Sequence, residues 1–112
     1  MRTLVITENV TADGSIELLS DWFDPQAQAA DDMADLHEEL QRQGSQSDAF
    51  LVGRHTFEQL RSYWPAQTDD KTGVTDYLNQ VDKYVVSTTM TEPGWQNTTV
   101  LADDPVQQVT EL

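Results

Sequence analysis

Leu51-Val52-Gly53-Arg54-His55-Thr56-Phe57-Glu58 is the stretch whose reading decides the fold. The apolar run Ala49-Phe50-Leu51-Val52 has the length and composition of a strand buried on both faces. A helix follows within three residues. Thr56 through Gln59 fits a Thr-x-x-Gln capping box, Phe57, Leu60 and Trp64 mark one buried face, and Pro65 closes it. Glycine at the junction permits close approach of the backbone. The new helix offers unpaired N–H groups and a positive dipole end. Arg54 adds a forked donor set suited to phosphate, His55 a second donor, and Thr56 a hydroxyl that either caps the helix or bonds a phosphate oxygen. The same residues also fit an ordinary strand-to-helix turn with a capping threonine.

Outward from this turn, the chain alternates. Residues 2 to 10, with the β-branched and apolar run Thr3-Leu4-Val5-Ile6-Thr7, predict a first strand. Thr11-Ala12-Asp13-Gly14 signals a turn, Ser15 to Leu19 a short extended piece, and Trp22-Phe23 a polar loop. Asp24-Pro25 opens a helix within about residues 25 to 43. Met33, Leu36, His37 and Leu40 recur at helical spacing in it, and Gly44 stands at the stop. Beyond Pro65 the pattern predicts a polar loop over 66 to 74, a short helix over 76 to 80, and a strand over Lys83 to Ser87. A turn at Thr91 to Gly94 and a strand over Thr98 to Leu101 follow. Asp104-Pro105 then opens a helix with Val106, Val109 and Leu112 on its inner face. This order predicts a single α/β domain over residues 1–112, with a largely parallel central sheet flanked by helices.

Composition narrows the function classes. The chain carries 20 acids against 6 bases, a formal charge of −14, so no basic patch exists to neutralise nucleic-acid phosphates. The acids are scattered, as at Asp21, Asp24, Asp31, Asp69, Asp70, Asp103 and Asp104. Scatter predicts a solvated surface, as adaptation to a salt-rich cytoplasm would produce; the competing reading is an acidic surface for a partner. With no cysteine there is neither a disulfide framework nor a thiolate site. No stretch approaches bilayer length and no basic-then-apolar leader precedes the first strand, so a soluble cytoplasmic protein without a membrane partner is expected.

Two further groups accompany the Gly53 turn. Ser87-Thr88-Thr89 follow the strand Tyr84-Val85-Val86, and the carboxyl end of a parallel strand is where nucleotides bind in open α/β sheets. Asp13-Gly14 follows the first strand and so falls at the same edge.

Taken in order, these motifs resemble a known superfamily. Leu51 to Glu58 is similar to the Gly-Arg-x-Thr-aromatic-Glu signature of the dihydrofolate-reductase-like superfamily, and Asp13-Gly14 resembles the Asp-Gly of its active-site loop. Trp64-Pro65, Lys83 to Thr89 and Trp95 narrow the likeness to the riboflavin-biosynthesis reductase C-terminal domain family, in particular its stand-alone members. The matches run from Arg2 to about Leu101.

The resemblance implies a dihydrofolate-reductase-like fold and an NADPH-dependent reductase of a small heterocyclic or pyrimidine-type substrate. Gly53, Arg54, His55 and Thr56 would hold the NADPH phosphates, and Ser87, Thr88 and Thr89 the adenosine side with its 2′-phosphate. Asp13 and Gly14 would line the nicotinamide and substrate region, with Trp22 flanking the pocket. Folate reductases carry a carboxylate on the first helix. The candidates are Asp31, Asp32, Asp35, Glu38 and Glu39, with Asp32 and Asp35 beside the apolar stripe. Asp13 and Asp35 are therefore the catalytic candidates, and Gly14, Trp22 and Asp32 the substrate contacts. His37, on the stripe itself, reads as a packed histidine. Members of the family continue with a further strand and a glycine-rich turn that completes the cofactor site, so residues 1–112 are expected to lack the C-terminal part of the domain. A homodimer is implied by the riboflavin-type relatives. The alternative reading is a non-catalytic nucleotide-binding or regulatory module on the same fold.

Overall fold

Short runs of β-branched and aromatic residues pair into a sheet in the computed structural model, which describes residues 2–8, 12–14, 34–70 and 72–112. Helix α1 (Ala34–Gln46) precedes strand β1 (Ala49–Gly53). Helix α2 (Arg54–Tyr63), a 3-10 turn (Trp64–Ala66) and helix α3 (Val74–Gln80) lead to strand β2 (Asp82–Val86). Strand β3 (Thr98–Leu101) and helix α4 (Pro105–Thr110) follow. Among the described residues the sheet has three strands in the order β1-β2-β3, both pairs parallel. A parallel pair cannot be closed by a tight hairpin, so the chain crosses from β1 to β2 through helices. The outcome is an α/β protein with a small parallel sheet flanked by helices.

Register sorts the side chains. Val52, Val85 and Val100 are neighbours across the sheet, as are Phe50, Lys83 and Thr98, and these rows share one face. Phe57 of α2 packs on that face with no exposed surface, against Val52 and Val85, with Phe50, Met90 and Trp95 around it. The Phe57 and Trp95 rings lie 5.8 Å apart. Lys83 is buried on the same face, 1% exposed. Its Nζ donates to the carbonyls of Leu78 (2.6 Å) and Val81 (3.2 Å) and stands 4.8 Å from the centre of the Trp95 ring. Leu78 is in the last turn of α3, where the helix dipole favours a cation. Burial lowers the Lys83 pKa, and neighbouring Asp82 opposes that shift.

Asp70 organises the start of α3. One carboxylate oxygen accepts from the Thr72 amide (2.8 Å) and hydroxyl (2.5 Å), and the other from the Thr75 amide (2.9 Å). Gly73, at φ +82°, makes the left-handed turn that lets the loop fold back on the helix. Burial raises the Asp70 pKa, but the bonds from Thr72 and Thr75 outweigh it and hold the carboxyl below its ordinary value.

Several expectations are corrected. Residues 2–8 form no strand, and Leu4, Val5 and Ile6 are exposed, because an apolar β-branched run becomes a strand only where its backbone finds a partner. β1 is not buried on both faces: only Val52 is buried, and among the described residues β1 pairs with β2 alone. The first helix does not stop at Gly44 but continues to Gln46. Gly44 instead meets the ring of Tyr77, where a Cβ would lie 3.5 Å from it. Thr56 does not cap α2, which starts at Arg54. Val106 faces solvent at 76% exposure, while Val109 and Leu112 are half-buried. The expected pieces over 9–11 and 15–33, including Trp22 and Asp32, lie outside the described residues.

Two outcomes follow from this packing. Phe57→Ala should cost about 3–5 kcal/mol in denaturant unfolding, a large loss for so small a core; a cost under ~1 kcal/mol would mean that Phe57 is not the centre of packing. Asp70→Asn should cost about 1 kcal/mol near neutral pH. Because the folded Asp70 pKa is depressed, its contribution is complete above about pH 4 and is lost as pH falls through the folded value. The gap between the two proteins should therefore close in acid, and a gap independent of pH contradicts the assignment.

Candidate functional site

Gly53 pairs with Val86 and Val86 with Leu101, so the three strands end level. The chain leaves β1 directly into α2 and leaves β2 into Ser87-Thr88-Thr89. The Gly53-Arg54-His55-Thr56 corner and the hydroxyl loop are thus adjacent at the carboxyl edge of the sheet, where strand ends and a helix N-terminus converge. α4 also begins at this edge. It is closed by its own Asp104, which accepts from the amides of Val106 (2.9 Å) and Gln107 (3.2 Å).

The start of α2 is different. Gly53 is its N-cap, in extended conformation (φ −79°, ψ 166°), and no side chain caps it. Arg54, His55 and Thr56 are the first three helical residues, the positions whose N–H groups have no acceptor inside a helix. Gly53 is exposed, and a Cβ built on it meets no atom within 4 Å. His55 and Thr56 are exposed, and Arg54 is half-buried. The Arg54 Nη1 donates to both Glu58 oxygens, at 3.1 and 3.2 Å.

The hydroxyl loop divides its labour. Ser87 is 7% exposed, and its Oγ accepts from the amides of Thr89 (3.2 Å) and Met90 (3.1 Å). Its own amide donates to Leu101 O (3.1 Å) and extends the ladder. Ser87 therefore shapes the loop, while Thr88 and Thr89 face solvent. The signal for this role was the serine two and three residues before the amides it binds, the spacing of a side-chain-closed turn.

Asp13 and Gly14 are exposed in the turn at 12–14, where Gly14 takes φ +87°. Asp35 is exposed in the first turn of α1, its Oδ1 accepting from the Leu36 amide at 2.9 Å. Glu38 is exposed and His37 half-buried. Glu39 is bound by Arg42 through Nε (2.8 Å) and Nη2 (2.5 Å) and by Gln43 (3.0 Å), and these bonds lower its pKa to about 2. That is opposite to the shift a proton donor near neutral pH requires.

A cleft of about 280 Å³ lies at the other end of the strands, lined by Ser47, Asp48, Tyr77, Gln80, Val81 and Asp82. It is remote in the sheet from the Gly53 corner, since Asp48 and Asp82 stand at the amino ends of β1 and β2. Among the described residues no group of three or more His, Cys, Asp or Glu could hold a metal ion, and no helix is long and apolar enough to cross a membrane. No family model, curated protein or solved structure matches the chain.

Ser87→Ala should lower stability by about 1–3 kcal/mol, because two loop amides lose their buried acceptor. Hydrogen exchange at the Thr89 and Met90 amides should rise with it. Unchanged exchange there would deny Ser87 this structural role.

Proposed function

We propose that the chain binds NADPH at the carboxyl edge of its sheet and acts as an NADPH-dependent reductase of the dihydrofolate-reductase-like class on a small heterocyclic or pyrimidine-type substrate. The observation that carries this reading is Gly53. Its φ of −79° suits any residue, and its Cβ would project into open space, so neither backbone conformation nor internal packing calls for glycine. A phosphate brought against the backbone does call for it. Arg54, His55 and Thr56 would then supply main-chain and side-chain donors to that phosphate, and Thr88 and Thr89 would contact the adenosine side. The bound cofactor supplies the hydride; residues of the chain bind and orient it.

A nucleotide-binding module without catalysis is the second reading. The exposure of Asp13 and Asp35 favours it, because a carboxyl that donates a proton near neutral pH needs a desolvated pocket to raise its pKa. NADPH oxidation across a panel of heterocyclic substrates separates the two, since a module binds the cofactor and turns nothing over.

Gly53→Ala makes the sharpest test of the site. Stability should be unchanged or rise by up to ~1 kcal/mol, since a compatible Ala restricts the unfolded chain. NADPH affinity, followed by calorimetric titration, should fall at least tenfold. Arg54→Ala should also weaken NADPH binding, by roughly 10–100-fold for the loss of charged hydrogen bonds. Wild-type affinity in both variants would sink the proposal.

A further inference from the structure

We infer that Glu58 is an internal competitor for the ligand phosphate and sets how tightly the Gly53 corner binds it. This inference rests on the phosphate-binding reading above and adds a residue that the reading does not use. Arg54 is the first residue of α2 and Glu58 stands one turn further along. Side chains on a helix lean toward its N-terminus, so the Glu58 carboxylate reaches back to the guanidinium. Both of its oxygens lie within hydrogen-bond distance of the same Arg54 nitrogen, at 3.1 and 3.2 Å. The carboxylate thereby occupies donor capacity that a phosphate would use, and it places a negative charge beside the α2 N-terminus.

The pair is suited to exchange. Its side chains are 41% and 37% exposed, so water screens the attraction and either partner can leave at small cost. An arriving phosphate offers Arg54 an acceptor of higher charge, aligned with the helix dipole and the free amides. Glu58 must then be displaced, and its charge, in a chain already at −14, repels the ligand. Both effects oppose binding, and both weaken as salt shortens the screening length to about 3 Å near 1 M. The penalty that Glu58 imposes on phosphate binding at this corner is therefore largest at low salt and smallest at high salt. In this role Glu58 is a positioning residue: it acts through Arg54 and touches no ligand atom.

Calorimetric titration with NADPH and with inorganic phosphate tests this on four full-length proteins: wild type, Glu58→Gln, Arg54→Gln and the double variant. Two salt concentrations are used at which circular dichroism shows all four folded. Glu58→Gln should bind about three- to tenfold tighter than wild type at the lower salt, with a smaller gain near 1 M. The gain should shrink in the Arg54→Gln background to the part that charge repulsion alone contributes. Adding NADPH to wild type should move the Arg54 Nε–H resonance to the position it takes in NADPH-saturated Glu58→Gln, a change that a purely structural ion pair would not produce. Equal affinity of wild type and Glu58→Gln overturns the inference and leaves the phosphate site standing. The same gain in both backgrounds overturns it too, since Glu58 would then act as bulk charge. Absence of binding by all four proteins removes the phosphate site, and the inference with it.

Discussion

Parallel pairing of β1 with β2 is the constraint on which the rest of the structure depends. It forbids a short connection, so α2, the 3-10 turn and α3 must pass between the strands. It also sets both strands running the same way, with Gly53 opposite Val86. Everything that leaves the strands therefore leaves at one edge: the start of α2, the Ser87 loop and, one strand further, the start of α4. The grouping of donors at that edge is a consequence of strand direction before it is a matter of any single side chain.

The crossover is held to the sheet from one face. Phe57 anchors α2 on Val52 and Val85, and Trp95 closes the other side of Phe57. Trp95 in turn donates from Nε1 to Asn79 at 2.8 Å and covers the Lys83 ammonium, which binds the carbonyls of Leu78 and Val81. One cation thus ties β2, the end of α3 and the loop before β3 together. A buried ammonium is costly unless carbonyls and an aromatic face replace its water, and here both do.

The arginines show how sparingly positive charge is placed in this acidic chain. Arg61 donates to Pro93 O at 2.6 Å and lies over the Phe57 ring, Arg42 clasps Glu39, and Arg2 stands 3.6 Å from Asp48. Arg54 differs in position: it is paired, but at a helix start whose cap is a bare glycine with open space beside it. The ion pair that holds it is exposed, with side chains 41% and 37% accessible, so water screens the attraction.

The sequence by itself determined the elements whose signals are local. The run Ala49 to Val52, the stop at Pro65, the strand Thr98 to Leu101 and the Asp104-Pro105 start of α4 all needed only side-chain type and turn chemistry, and their alternation determined a parallel α/β sheet. The closeness of Gly53-Arg54-His55-Thr56 to Ser87-Thr88-Thr89 was legible for the same reason, since strand direction follows from the crossover. Tertiary structure alone decided what depends on partners distant in the chain. Residues 2–8 have the composition of a strand but pair with no strand among the described residues. Gly44 lies inside α1 with the ring of Tyr77, more than thirty positions away, packed beside it. Lys83 belongs to a strand by its local sequence, but its burial comes from Trp95 and from the carbonyls of Leu78 and Val81. Ser87 turns inward to bind two amides and Arg54 is held by Glu58, while Thr88 and Thr89 are exposed, so these candidate groups differ in availability. Composition and spacing fix which groups reach the edge; packing and hydrogen bonding, which are set by neighbours in space, fix which of them remain open there.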